Sequence, residues 1–131
     1  MTVLVDTSGL FALLDADDHN SAAAAAYWKR AAGVDFATHA YVASESIALV
    51  RRKLGWIGVR RLLDDLLPGI RVSMVDEDLH EAALVTYRST EGGTSFVDRV
   101  TIEFARRRGI AYAFAFDRDL LHAGLTFPPL P

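Results

Sequence analysis

The chain of 131 residues contains no cysteine, which excludes disulfides and thiolate zinc sites together. Lysine is nearly absent as well, since Lys29 and Lys53 are the only two and both fall in stretches of helical pattern. No Walker loop, dinucleotide-binding glycine fingerprint or G-x-S-x-G nucleophile turn occurs. The longest apolar run, Ile110 to Phe116, is far too short to span a bilayer, so no membrane association is expected. Met1 leads directly into a strand with no basic segment ahead of an apolar stretch; a signal peptide is therefore not expected, and the protein is expected in the cytoplasm. Positive charge is not in surplus, because 14 basic residues face 17 acidic ones for a net charge of −3. That balance argues against a protein that coats itself in nucleic acid.

What is present suits one globular domain over residues 1–131, large enough to bury a core of its own. Half of the chain is hydrophobic, a surplus that fits a sheet covered on both faces or an apolar patch for a partner. Strands are expected at Val3–Val5, Asp35–Thr38, Ile70–Val75 and Ile110–Phe116, with Leu125–Phe127 as a final edge strand. Helices are expected between them. One follows Asp6, and one runs from Ser21, as its cap, to Ala32 before Gly33. Another spans Ala40–Leu54, with Ala43, Ile47, Val50 and Leu54 on its buried stripe and Gly55 as its end. Trp56–Leu67, Glu77–Tyr87 and Ser95–Arg108 complete the set, followed by a short turn after Asp117. Strands alternating with helices predict an α/β fold: three layers, α/β/α, around a parallel sheet of four to five strands.

Four acids stand out against this framework. Asp6 and Asp117 each follow a strand, Asp98 begins a helix, and Glu45 lies inside one. In an open parallel sheet the ligand crevice lies beyond the carboxyl ends of the strands, near the point where strand order reverses. Carboxylates gathered there would repel one another by ~4 kcal/mol per close pair at an intermediate dielectric, and bound cations relieve that repulsion. An all-oxygen donor set points to Mg²⁺ or Mn²⁺ rather than zinc.

Each acid also has a structural explanation. Asp6, Asp76, Asp117 and Asp119 can cap helices, and Asp98 with Ser95 fits a capping box in which the acid reaches back to the serine backbone. Glu45 falls opposite the expected apolar stripe and near Arg52, as a solvated residue would. His19, His39, His80 and His122 have no zinc-site spacing and suit surface or capping roles. Trp28 and Trp56 are expected to pack. Twelve of the basic residues are arginine, clustered at Arg51 and Arg52 beside Lys53, at Arg60 and Arg61, and at Arg106 to Arg108. Cations in a last helical turn complement the helix dipole, although arginine's fork also suits phosphate.

The acids occur in a recognisable order: Val3, Leu4, Val5, Asp6, Thr7, Ser8; then Ser44, Glu45, Ser46; then Ser95, Phe96, Val97, Asp98; then Ala115, Phe116, Asp117, Arg118, Asp119. Over essentially its whole length the chain thus resembles the PIN domains, and among them the VapC-type toxins of prokaryotic toxin–antitoxin pairs. Each motif is short, and their specificity lies in the shared order. The family more often has threonine or serine where Ala115 stands and phenylalanine where Leu120 stands.

The resemblance implies a Mg²⁺- or Mn²⁺-dependent endoribonuclease that leaves 5′-phosphate and 3′-hydroxyl ends. Asp6 and Asp98 would be primary metal ligands, Glu45 and Asp117 would complete the pocket, and Ser8 and Asp119 would assist. Arg99, Arg51 and Arg52 are candidates to steer RNA, with Arg60 and Arg61 behind them. It further implies a transfer or ribosomal RNA substrate, a small VapB-type antitoxin and a second copy of the chain as partners. Two rivals remain open on the residues alone. A haloacid-dehalogenase-like phosphatase needs an acid where Ser8 stands and a lysine near the phosphate. A non-catalytic PIN-like binding module would use the acids structurally.

Overall fold

In the computed structural model, which describes residues 1–131, four short parallel strands form the centre: β1 (Thr2–Val5), β2 (Asp35–His39), β3 (Arg71–Ser73) and β4 (Tyr112–Phe114). Their spatial order is β3-β2-β1-β4. The chain steps outward from β1 through β2 to β3, then returns to add β4 on the other side of β1. The order therefore reverses between β1 and β4, and the carboxyl ends of these two strands flank the switch point. The expected fifth strand is reduced to one bridge between Thr126 and Tyr112, because the prolines that follow cannot extend a ladder.

Alternation along β1 places its side chains in two cores. Val3 and Val5 join Leu10, Tyr27, Phe36 and Phe114 on one face, whereas Leu4 joins Val100, Phe104, Ala113 and Leu120 on the other. The first face is covered by α1 (Thr7–Leu14), α2 (Ser21–Lys29) and the far half of α3 (Ala40–Arg61). The second is covered by α4 (Glu77–Ser89), α5 (Phe96–Arg108) and α6 (Arg118–His122). The arrangement is the expected three-layer α/β/α. Gly9 lets α1 settle against the end of β4: a Cβ at this position would overlap the carbonyl oxygen of Phe114.

Several local expectations change. Asn20, not Ser21, occupies the N-cap of α2, no side chain caps that helix, and it stops at Lys29 rather than Ala32. Strands β3 and β4 are shorter than their apolar runs, since only three residues of each find a partner strand. Gly55, at φ 72° and ψ −167°, breaks the helical path where expected, and the chain then continues in a new direction through Arg61 into a wide π turn at Leu62–Leu66. The buried stripe of α3 is Val42, Ser46 and Val50, while Ile47 faces solvent, because the helix docks on α1 one position away from the most apolar register. Trp28 packs on Phe36, with ring centroids 4.8 Å apart, but Trp56 is 58% exposed.

His39 is wholly buried rather than superficial. Its Nε2 lies 2.8 Å from Thr101 Oγ1, whose own hydrogen is donated to the Val97 carbonyl. The imidazole N–H is thus the donor that ties the end of β2 to α5, close to Asp98. Burial pushes the imidazole down to about 4, so it is neutral at pH 7.

Candidate active site

Beyond the carboxyl ends of β1 and β4 lies a cavity walled by Asp6, Glu45, Asp98, Asp117 and Asp119, with Thr7, Ser8, Ser95 and Leu49 between them. No basic side chain lines it. The four acids expected as a set are therefore brought together, and Asp119, expected only to assist, joins them fully. One carboxylate oxygen from each of Asp98, Asp117 and Asp119 lies within 4.8 Å of the others.

Asp6 is both a cap and a cavity residue. Its Oδ2 accepts from the Ser8 amide at 3.1 Å and from the Ser8 hydroxyl at 2.6 Å, which closes the first turn of α1. Its Oδ1 is buried and has no partner. Asp98 makes only half of the expected capping box. Its amide donates to Ser95 Oγ at 3.1 Å, but its carboxylate does not return to the serine backbone and instead faces the cavity. Asp117 caps α6 by accepting from the Asp119 amide at 2.7 Å.

Glu45 is neither solvated nor paired with Arg52. It is half-buried, and its Oε1 accepts from the Thr7 hydroxyl at 2.7 Å, which in turn accepts from Ser46 Oγ at 3.0 Å. Thr7 and Ser46 thus orient an acid, a role sequence reasoning missed. The available signal was that each hydroxyl residue directly follows an acid in its motif. Ser8 acts across the switch point: while donating to Asp6, its Oγ accepts from the Phe116 amide at 2.9 Å, adjacent to Asp117. One hydroxyl therefore couples both acid-bearing strand ends. Ser8→Ala is expected to cost ~1 kcal/mol of stability and roughly 10- to 100-fold in metal affinity or activity, as loss of such outer support does elsewhere. Urea unfolding and calorimetric metal titration would check both.

The electrostatics are those of crowded like charges. Burial raises the Asp6 carboxyl, the two Ser8 hydrogen bonds oppose this, and Asp117 and Glu45 add to the rise. Asp98 is pushed up to about 8, first by burial and then by Asp6, Asp117 and Glu45. Asp98 therefore keeps its proton at pH 7 when no cation is near. A buried carboxylate oxygen without a donor, beside three further carboxylate oxygens within reach of one another, fits a hard divalent cation.

The arginines lie elsewhere. Arg106 and Arg107 both engage Glu103, at 2.6 and 3.0 Å, and Arg108 lies over the Phe104 ring. Arg61 donates to the Leu14 carbonyl at 3.3 Å. Arg99 is half-buried with an unpartnered Nε and does not line the cavity. Arg51 and Arg52 are exposed. Arg52 follows Glu45 by seven residues, two helical turns and ~10 Å along the same face, whereas Arg51 is turned away.

Residues 3–124 match the PIN domain family. Over 126 residues, covering 95% of both chains, the sequence is 34% identical to the 23S rRNA-specific endonuclease VapC20 of Mycobacterium tuberculosis, in strains CDC 1551 / Oshkosh and ATCC 25618 / H37Rv. The fold is similar to the crystal structure of M. tuberculosis VapC20, described as a Sarcin-Ricin loop cleaving toxin. The TM-score is 0.82 at 32% identity, covering 94% of this chain and 95% of that one.

Proposed function

Because the chain belongs to the PIN-domain family, we propose that it is a metal-dependent endoribonuclease and the toxin of a type II toxin–antitoxin pair. The observation that carries this reading is the convergence of Asp6, Glu45, Asp98, Asp117 and Asp119 on one cavity at the switch point. Asp98, Asp117, Asp119 and the free oxygen of Asp6 would hold the cation, and an all-oxygen donor set suits Mg²⁺ or Mn²⁺. When bound, the ion would lower the pKa of a water and neutralise charge on the scissile phosphate. Ser8 holds the strand ends at a fixed separation, and Thr7 fixes Glu45 through one oxygen so that the other can accept a hydrogen bond from a group entering the cavity. The phosphatase alternative lacks its parts, since position 8 is serine and no lysine lines the cavity.

The relative named for 23S rRNA cleavage supports a ribosomal RNA loop as substrate, with transfer RNA as the comparison. A VapB-type antitoxin and a second copy of the chain are the proposed partners. Trp56, Ile57, Met74 and Val85 supply exposed apolar surface for them. The deciding experiment incubates ribosomal and transfer RNA with purified protein in Mg²⁺ or Mn²⁺ and in EDTA, beside Asp6→Asn. Metal-dependent cutting lost in the variant establishes the nuclease, while intact RNA under all conditions supports the binding module.

Of the exposed pair Arg51 and Arg52, Arg52 shares the face of α3 that carries Glu45 and is the proposed steering residue. Arg52→Glu is expected to raise KM several-fold at low salt and to reduce the salt slope by about one, while Arg51→Glu changes both less. Cleavage rates across a salt series would show whether the two arginines differ.

A further inference from the structure

We propose that the shelf beside the acidic cavity is a nucleobase site, on which Tyr41 and Phe96 stack one unstacked base of the RNA next to the phosphate held at the carboxylates. This rests on the nuclease reading and deepens it. The shelf is a shallow depression lined by Tyr41, Ser44, Glu45, Phe96 and Val97. Glu45 also lines the acidic cavity, so the two depressions share a wall and one nucleotide can enter both.

The lining chemistry selects a base over other parts of RNA. No cation lines the shelf, which excludes it as a phosphate clamp, and apart from the exposed Ser44 and the shared Glu45 its surface is aromatic and aliphatic. Tyr41 and Phe96 are half-buried, with ring centroids 6.1 Å apart and planes inclined by 40°. They are held from behind. His80 meets both rings edge-on, at 5.8 and 5.3 Å, and Tyr87 meets Phe96 edge-on at 5.8 Å. The Tyr41 hydroxyl is hydrogen-bonded to His80 Nδ1 at 2.7 Å. A platform already fixed in this way loses little rotamer freedom when a ligand arrives. Single-stranded and looped RNA is recognised largely by bases splayed out onto tyrosine, phenylalanine and histidine faces, which is the occupant this shelf suits.

The shelf also gives a reason for α5 to begin with Phe96. The same helical turn that sends Asp98 into the metal cavity places Phe96 on the neighbouring depression, so base and phosphate would be registered by one rigid element.

The test uses the full chain in an Asp98→Asn background, so that RNA is bound without being cut. Short single-stranded RNAs, each with a single 2-aminopurine at a different position, report stacking by fluorescence quenching. Quenching is expected at one position in the Asp98→Asn protein. It should be retained in Tyr41→Phe, and binding should weaken about 5- to 150-fold in Tyr41→Leu or Phe96→Leu, the range for loss of one base–aromatic stack. With Asp98 restored, Tyr41→Leu should raise KM while changing kcat by no more than a few-fold. The proposal is overturned if no position quenches, or if both leucine variants, folded by circular dichroism, bind and cut as their parents do. It is equally overturned if those variants weaken only association with a partner polypeptide, which would make the shelf a protein-binding surface. Failure of the nuclease reading would instead show as uncut RNA with the unmodified protein, independently of the quenching.

Discussion

Replacing Asp98 by asparagine is expected to lower RNA cleavage ~10³-fold while making the metal-free protein more stable. The two effects have one origin. Asp98 is 6% exposed, and burial together with Asp6, Asp117 and Glu45 opposes its ionisation. With a divalent cation bound, that carboxylate is needed: loss of a ligand removes several kcal/mol of charge stabilisation, and each ~1.4 kcal/mol is tenfold in rate. Without the cation, the same charge is a liability. Asparagine keeps the shape, and its backbone amide still reaches Ser95 Oγ. Single-turnover cleavage and urea unfolding in EDTA at pH 9 should therefore move in opposite directions, with stability rising on the order of a few kcal/mol. An unfolded variant would mean instead that folding needs the Asp98 carboxyl itself.

The second large effect is on how stability depends on pH in the absence of metal. A carboxyl raised in the folded state contributes stability that is fully present below its ordinary 3.8 and is lost as pH rises towards about 8. His39 has the opposite slope. Buried and neutral, it is held near 4 against an ordinary 6.5, so its contribution is complete above 6.5 and is lost as pH falls through about 4. The two oppose each other between roughly pH 4 and 6.5 and leave a plateau. Above 6.5 the His39 contribution is complete and the raised carboxyls act unopposed: Asp98 by itself should lower stability by ~2 kcal/mol up to about pH 8, at ~1.4 kcal/mol per unit, and the raised Asp6 carboxyl adds to the decline. Glu103, held near 2 by Arg106 and Arg107, acts only below this window. Millimolar Mg²⁺ or Mn²⁺ should reverse the decline, since a ligand at a hundred times its Kd adds about 2.7 kcal/mol. Thermal unfolding across pH 4–9, in EDTA and in metal, would check both limbs, and Asp98→Asn should shrink the alkaline one.

Much of this site was legible without coordinates, for physical reasons that can be named. A strand of three apolar residues that stops at an acid and a hydroxyl, as at Val5–Asp6–Thr7, carries its own boundary, whereas β4 ends at Phe114, two residues short of the boundary that Phe116–Asp117 suggests. Alternation of such strands with helices forces a parallel sheet, and a parallel sheet gathers strand ends on one edge. Glu45 was harder to place. Periodicity on α3 favoured a stripe through Ile47, yet Val42, Ser46 and Val50 are the buried residues. The polar Ser46 is buried because Thr7, on another helix, provides its partner, and no window of sequence contains that contact. Trp56 and His39 went wrong in opposite directions for the same reason, since hydropathy says little about which face a neighbouring element covers.

The linear order of residues thus determined the layered α/β fold and the placement of Asp6, Asp98 and Asp117 near one sheet edge, because both follow from local period and capping chemistry. Tertiary structure alone decided which oxygens stay free. Ser8 takes one oxygen of Asp6 and leaves the other unpartnered, Thr7 turns Glu45 inward, and the Asp98 carboxylate leaves its half of the capping box to face the cavity. Those choices depend on contacts between segments distant in the chain, where burial and like-charge crowding outweigh any local preference.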